Sequence, residues 1–438
     1  MLDLFSSGII ALWLQNSQID TPKVDLSEFL TWQGAPLFIF PTESDTTTKS
    51  IMDQYFKELS SRNMKPENQG LWIQSNTTLL GEKRGNIPVP AASISKVATT
   101  LVTLHKLKPN YQFITKIGIK GTVEKGVLKG DLIIEGSGDP YFTWEEAIAL
   151  GNSLNKMGIK TVQGNLIITD KFYMNYNEIP QKSGEFFQLA VNSKKWTPLI
   201  TQNYEEMKIK IPKPQLEITG KIQVLKRTPK YTLLINHKSL PLVQIIKEMN
   251  IYSNNEMSEM LAKYLGGASI IAKEAALISG VPPTEIQMIN GSGLTMKNLI
   301  SPRSACAMFM AMQRYLSNYN MTIADFFPVS GRDKTGTLLQ RKIPNATIIK
   351  TGTLNEVSAL VGALPTQEHG VIWFGILNSG EDVLTFRQQQ DLLLQNLQKK
   401  WGIPQTELPI IKTTQNIPAG TLGDMKRNEI VVSVISNQ

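Results

Sequence analysis

Along this chain, stretches in which apolar residues alternate with polar ones are interleaved with stretches in which they recur every third or fourth position. The runs Gly70 to Thr78 and Leu79 to Arg84 are β-rich and separated by polar residues, which predicts a hairpin. Val97, Leu101 and Leu104 then recur at helical spacing behind the segment Pro88-Val89-Pro90-Ala91-Ala92-Ser93, so Ser93 sits at or just inside a helix N-terminus. From 113 to about 175, short β-like runs alternate with turns around one helical stretch, Trp144 to Met157, and 175 to 235 is polar, Lys-rich and β-like. Leu240 to Leu265 is strongly helical, and a third helical zone covers Ser301 to Leu316. Ala346 to Lys350, Val357 to Leu364 and Val371 to Leu377 follow as strands, closed by a helix from Leu384 to Trp401. A helix, an inserted unit, more helices, a meander and a last helix together predict an α/β (α+β) core interrupted by a mainly β insertion.

A length of 438 residues exceeds what one hydrophobic core usually supports, so two or three compact units are expected. The apolar share of 41% is enough to bury a real core. The net charge of +8 comes from scattered basic residues with no basic stripe interleaved with aromatics, which argues against a nucleic-acid partner. Cys306, the single cysteine, lies in an apolar stretch and reads as a small buried hydrophobe; an intrachain disulfide is excluded. Leu4 to Leu14 is apolar but too short to cross a bilayer, with no positive start and no clear cleavage site. An uncleaved membrane-associating arm and an atypical export signal both remain open for residues 1–19.

Three scattered histidines and the lack of a G-x-S-x-G elbow leave no ordinary base for a serine hydrolase and no metal site. Lysine serves as a base when burial or a neighbouring cation lowers its proton affinity. Ser93-Ile94-Ser95-Lys96 meets that need, since residues i and i+3 of a helix share a face. The same spacing recurs at Ser153-Leu154-Asn155-Lys156, where an exposed helical face is the expected reading. Ser253-Asn254-Asn255 taken alone is a turn or helix cap. Lys350-Thr351-Gly352-Thr353 ends an apolar strand, and its glycine permits a close backbone approach by a ligand. A second K-T-G at Lys334-Thr335-Gly336 follows Gly331-Arg332-Asp333, which is no strand, so the chemistry is assigned to Lys350.

The ordered set S-x-x-K, S-x-N and K-T-G resembles the penicillin-recognising serine enzymes. More narrowly, the chain is similar to the D-alanyl-D-alanine carboxypeptidase/endopeptidases, the class-C low-molecular-mass penicillin-binding proteins (peptidase S13-like). Gly136-Ser137-Gly138-Asp139-Pro140, Asn290-Gly291-Ser292-Gly293-Leu294, Ser301-Pro302-Arg303 and Gly336-Thr337-Leu338 with Arg341 carry the likeness across residues 70–402. The interval from Lys96 to Ser253 is short for members with two inserted domains, which implies that the smaller one is missing or reduced.

The resemblance implies a β-lactamase/transpeptidase-like core with a five-stranded antiparallel sheet flanked by helices, built from 20–112 and 236–402. The inserted domain would occupy 113–235, and 403–438 would be a C-terminal extension. It further implies that Ser93 is the nucleophile and Lys96 its base, with Ser253 relaying a proton and Asn255 holding the substrate amide and Lys96. Lys350, Thr351 and Thr353 would bind the terminal carboxylate, with Gly352 lining the substrate, and the N–H groups of Ser93 and Thr353 would form the oxyanion hole. The implied reaction needs no cofactor or metal. Peptidoglycan peptides are the implied substrate and β-lactams the implied covalent inhibitors, in the periplasm or envelope of a bacterium.

Three rivals bound this reading. Asp333-Lys334-Thr335-Gly336-Thr337-Leu338 matches the phosphorylated motif of P-type ion pumps, but the spanning helices such pumps need are missing from the sequence. A catalytically inactive wall-binding protein of the same fold would not need every polar motif position intact, as they are here. A β-lactamase-like hydrolase would differ only in how fast water releases the acyl group.

Overall fold

The computed structural model describes residues 40–41, 46–169, 171–414 and 420–432; the apolar segment 4–14 lies outside them. The main sheet uses β1 (Phe40–Pro41), β2 (Gln69–Gln74), β3 (Thr78–Lys83), β4 (Ile348–Leu354), β5 (Val357–Thr366) and β6 (Gly370–Ser379), in the order β1-β3-β2-β6-β5-β4. The five strands from β3 to β4 pair antiparallel, as expected, and the two-residue β1 joins β3 in parallel at the edge.

Helices cover both faces of this sheet, and the strand sequences show why. All ten residues of β5 are buried. Because side chains alternate across a sheet, Val357, Ala359, Val361 and Ala363 enter one apolar cluster and Leu360 and Leu364 the opposite one. The first cluster gathers α2 (Ser95–Leu107), α3 (Leu242–Tyr252), α4 (Asn255–Tyr264), α5 (Ala268–Ser279) and α6 (Pro302–Ser317). The second holds α1 (Thr46–Ser61) and α7 (Val383–Trp401) against the other face. Cys306 is buried in α6, as its neighbours implied. The helix α2 is buried over Ser95 to Leu104, on every side, so it runs through the interior and carries Lys96 in with it.

The helical zone Leu240 to Leu265 is two helices. The helix α3 ends at Tyr252, Ser253 takes a left-handed conformation (φ 53°), and α4 starts at Asn255. Apolar periodicity continues across the break and therefore conceals it.

Residues between α2 and α3 form a second unit with its own apolar cluster around Ile117, Leu132, Ile134, Leu166 and Phe187. Its eight-stranded sheet is mixed. Ile114–Glu124 pairs antiparallel with Val127–Glu135 and with Thr232–Lys238, whereas Leu166–Thr169 lies parallel to its neighbours. The unit holds more helix than the pattern suggested: beside the expected Trp144–Lys156, helices Pro180–Ala190 and Pro198–Glu206 stand where 175 to 235 reads as β-like. Each opens on a proline, a helix-start signal that the polar, Lys-rich composition masks. The segment 420–432 returns to this unit, where Asn428–Ile430 pairs antiparallel with Thr232–Lys238. No helix among the described residues is long and apolar enough to cross a membrane.

Candidate active site

Ser93 lies in a single 3-10 turn, Ala92–Ile94, immediately before α2. The two-residue strand Val89–Pro90 leads into it, pairing with Leu299–Ile300, and the Ala91 N–H donates to the Asn298 carbonyl at 2.9 Å. Ala92 holds φ at 46°, in the left-handed region that costs a non-glycine residue about a kcal/mol or more. The strand β4 runs beside this turn. A Cβ on Gly352 would meet the Ala91 carbonyl at 2.8 Å and Ala92 and Ile94 at 3.2 Å, so this glycine makes room for the protein's own Ser93 turn.

Lys96 Nζ has three partners: Ser93 Oγ at 3.1 Å, Asn255 Oδ1 at 2.7 Å and the Ser292 carbonyl at 2.8 Å. Two of these can only accept. A neutral amine gives its two hydrogens to Asn255 and Ser292, which leaves its lone pair directed at the Ser93 hydroxyl.

The break between α3 and α4 arranges the next two residues. Asn254 caps α4 by accepting from Met257 N at 2.8 Å. The cap is thus one residue's task, and its neighbours are free for others: Asn255 reaches Lys96, and Ser253 Oγ accepts from Lys350 Nζ at 3.0 Å. Lys350, in the middle of β4 opposite Val361, also donates to the Thr351 carbonyl at 2.7 Å. The structure therefore gathers these residues as two hydrogen-bonded groups, Ser93 with Lys96 and Asn255, and Ser253 with Lys350, and Ser93 and Ser253 line the same cavity.

Both lysines are fully buried, and neither has a carboxylate within ion-pair distance among the described residues. Burial disfavours an ammonium, and it lowers Lys96 to about 7, against the opposing pull of Glu259 and Glu256. Lys350 is pushed well below its ordinary value by burial and then by the charge of Lys96. Burial is the first cause at both lysines, so burial above all is what neutralises the amine beside Ser93.

The cluster opens into a cavity of about 350 Å³ lined by Ser93, Ser253, Thr351, Thr353, Thr337 and Arg387 among others. Arg387, at the start of α7, donates to Thr353 Oγ1 at 2.8 Å. Sequence reading missed Arg387, since a lone arginine in a helix carries no motif; Thr337 was visible only as part of Gly336-Thr337-Leu338. The second K-T-G is not on a strand, and Lys334 does not line this cavity. Asp333, the residue of the pump-like match, accepts from Lys247 Nζ at 2.9 Å and from Val329 N at 2.7 Å, both structural contacts. The second S-x-x-K separates: Ser153 is buried and accepts from Asn428 Nδ2 at 2.9 Å, while Lys156 is exposed, so the exposed face expected there holds for the lysine alone.

The chain is similar to known proteins along most of its length. The family model described as the D-Ala-D-Ala carboxypeptidase 3 (S13) family matches residues 57–185 and 201–399. The D-alanyl-D-alanine carboxypeptidase DacB of Haemophilus influenzae is 22% identical over 381 residues, which is 65% of this chain and 79% of that protein. A D-alanyl-D-alanine carboxypeptidase of Actinomadura sp. (strain R39) is 31% identical over 165 residues, 34% of this chain and 30% of the relative. Among solved structures, the penicillin G-acylated predatory endopeptidase Bd3459 of Bdellovibrio bacteriovorus superposes with a TM-score of 0.70 at 23% identity, covering 82% of this chain and 98% of that one. Penicillin-binding protein 4 of Haemophilus influenzae, complexed with a β-lactam, gives a TM-score of 0.59 at 19% identity, over 78% and 98% of the two chains.

Proposed function

Since the chain belongs to the D-Ala-D-Ala carboxypeptidase 3 (S13) family of serine peptidases, we propose that it hydrolyses the D-Ala-D-Ala bond of cell-wall stem peptides through an acyl-enzyme on Ser93. The observation that carries this reading is the Lys96 amine, 3.1 Å from Ser93 Oγ and held by two obligate acceptors.

In this reading Lys96, neutral by burial, takes the hydroxyl proton as Ser93 attacks the carbonyl of the penultimate D-Ala. The carbonyl oxygen gains negative charge and is met by the N–H groups of Ser93 and Thr353, a stabilisation commonly worth about 2.7–4 kcal/mol per donor. The C–N bond then breaks and D-Ala departs, its amine receiving a proton through Ser253, whose hydroxyl bridges toward Lys350. Asn255 holds the substrate amide together with Lys96. Lys350, Thr351 and Thr353 bind the terminal carboxylate, whose arrival returns to Lys350 the charge that burial withholds. Water, activated by Lys96, splits the Ser93 ester and frees the enzyme. The same cleft accepts a β-lactam, which offers a carboxylate and a reactive amide in like arrangement.

Labelling with a fluorescent penicillin tests the assignment: the wild-type chain should be labelled and Ser93→Ala should not. Label retained in Ser93→Ala would discredit the nucleophile. Release of D-Ala from a pentapeptide, set beside cleavage of a cross-linked dimer, separates carboxypeptidase from endopeptidase action. A bacterial envelope enzyme is the setting this substrate demands.

A further inference from the structure

The loop Asn290–Leu294 is bonded to both α2 and α4, and the N–H groups of Gly291, Ser292, Gly293 and Leu294 all donate to side chains. Glu259 receives the Gly291 N–H at 3.0 Å on one carboxylate oxygen and the Ser292 N–H at 2.8 Å on the other. The Gly291 carbonyl accepts from Thr99 of α2 at 2.9 Å and from Ser258 of α4 at 2.8 Å. Leu294 N donates back to Ser292 Oγ at 3.2 Å, and Gly293 N to Asn290 Oδ1 at 2.9 Å. A Cβ on Gly291 would strike Ala262 at 2.5 Å, so the loop is pressed onto α4. With the amide hydrogens of residues 291 and 292 committed to one carboxylate, the Ser292 carbonyl is left aimed at Lys96 Nζ, 2.8 Å away.

Asn255 and Glu259 are four residues apart on α4 and therefore share a face. One helix thus grips the lysine twice: directly through Asn255, and through the Ser292 carbonyl that Glu259 holds. We propose that Glu259 is a positioning residue for Lys96, fixing the Ser292 carbonyl against the amine and setting a buffered negative charge behind it. This rests on the reading of Lys96 as the base of Ser93.

The charged groups facing Lys96 are Glu256 and Glu259 from α4 and Lys350 from β4. Burial works to deprotonate Lys96, and after burial Glu259 is the largest influence, in the opposite direction. Glu259 therefore prevents the base from becoming too weak to take a proton, while its hydrogen bonds keep the lone pair on target. A glutamine cannot replace it, since its amide has one acceptor oxygen for two N–H donors and turns an NH₂ group toward the second.

The test measures the rate of acylation by benzylpenicillin against pH for wild type, Glu259→Gln and Glu259→Asp. Removing the charge should move the acid limb of Glu259→Gln downward by on the order of one pH unit. Its plateau rate should fall about ten-fold or more as the amine loses its fixed direction. Glu259→Asp keeps the charge and should hold the limb near its wild-type position. An unmoved limb in Glu259→Gln, with only the plateau or the melting temperature altered, overturns the proposal. Retention of label by Ser93→Ala in the same assay would instead sink the underlying reading, so the two failures are distinct.

Discussion

Asn255 Oδ1 stands 2.7 Å from Lys96 Nζ, closer than the Ser93 hydroxyl at 3.1 Å. The side chain that sets the direction of the lysine is therefore the one at the start of α4. Asn255→Ala should lower the acylation rate by about a hundred-fold, because an amine free to rotate no longer keeps its lone pair on Ser93. Asn255→Asp should show a different fault: a new carboxylate stabilises the ammonium, and the acid limb should move to higher pH. Stopped-flow acylation across pH checks both.

The two K-T-G copies give opposite expectations. Lys350→Ala removes the donor to Ser253 Oγ and should abolish penicillin labelling, whereas Lys334→Ala should leave it intact. Loss of label in Lys334→Ala with retention in Lys350→Ala would reverse the assignment.

The pH dependence follows from the sign of the Lys96 shift. Its amine is lowered to about 7, and the deprotonated form is the one that can accept from Ser93. Acylation should hold a plateau above that value and decline below it, approaching about ten-fold per pH unit as a single proton is regained. A rate that does not change between pH 5 and 9 would be incompatible with a lysine base.

Arg427 connects the returning segment to the inserted unit. Its guanidinium pairs with the buried Glu146 and donates to the Lys238 carbonyl at 2.7 Å and the Thr421 carbonyl at 3.0 Å. Glu146 is already raised to about 7 by burial and is crowded by Asp139. Arg427→Ala would leave that carboxyl without its cation, drive it to the protonated form and strand its hydrogen-bonding oxygens, and should destabilise the protein by about 1–3 kcal/mol. Chemical denaturation measures the loss, and Arg427→Lys should recover part of it.

What could be read in the sequence depended on whether the signal was local. The Ser93 and Lys350 segments were legible because a helix mouth and an apolar strand are short-range patterns, although β4 does not end at Lys350 as its apolar run suggested but continues, paired with β5, to Leu354. The meander β4 to β6 was legible for the same reason, and the sheet pairs as expected. The left-handed Ser253 was hidden inside an unbroken helical periodicity, since a single residue's backbone leaves the apolar spacing of Leu240 to Leu265 unchanged. Helices Pro180–Ala190 and Pro198–Glu206 were hidden because few large apolar side chains in them are buried, Phe187 in the first and Ile200 in the second, which leaves the apolar stripe thin. Glu259 and Arg387 act through partners 33 and 34 positions away, and no spacing rule reaches that far.

The strand Asn428–Ile430 joins a sheet whose other members are all complete by Lys238, and Asn428 meets His237 across 191 intervening sequence steps. A polypeptide emerging gradually from the ribosome cannot finish that sheet when its own residues have been made. Thr232–Lys238 stays open along one side until the entire transpeptidase-like half has been synthesised. Maturation of the two halves is in this way linked in time, and a nascent chain halted after α7 should be held in a conformation that chaperones and proteases can recognise.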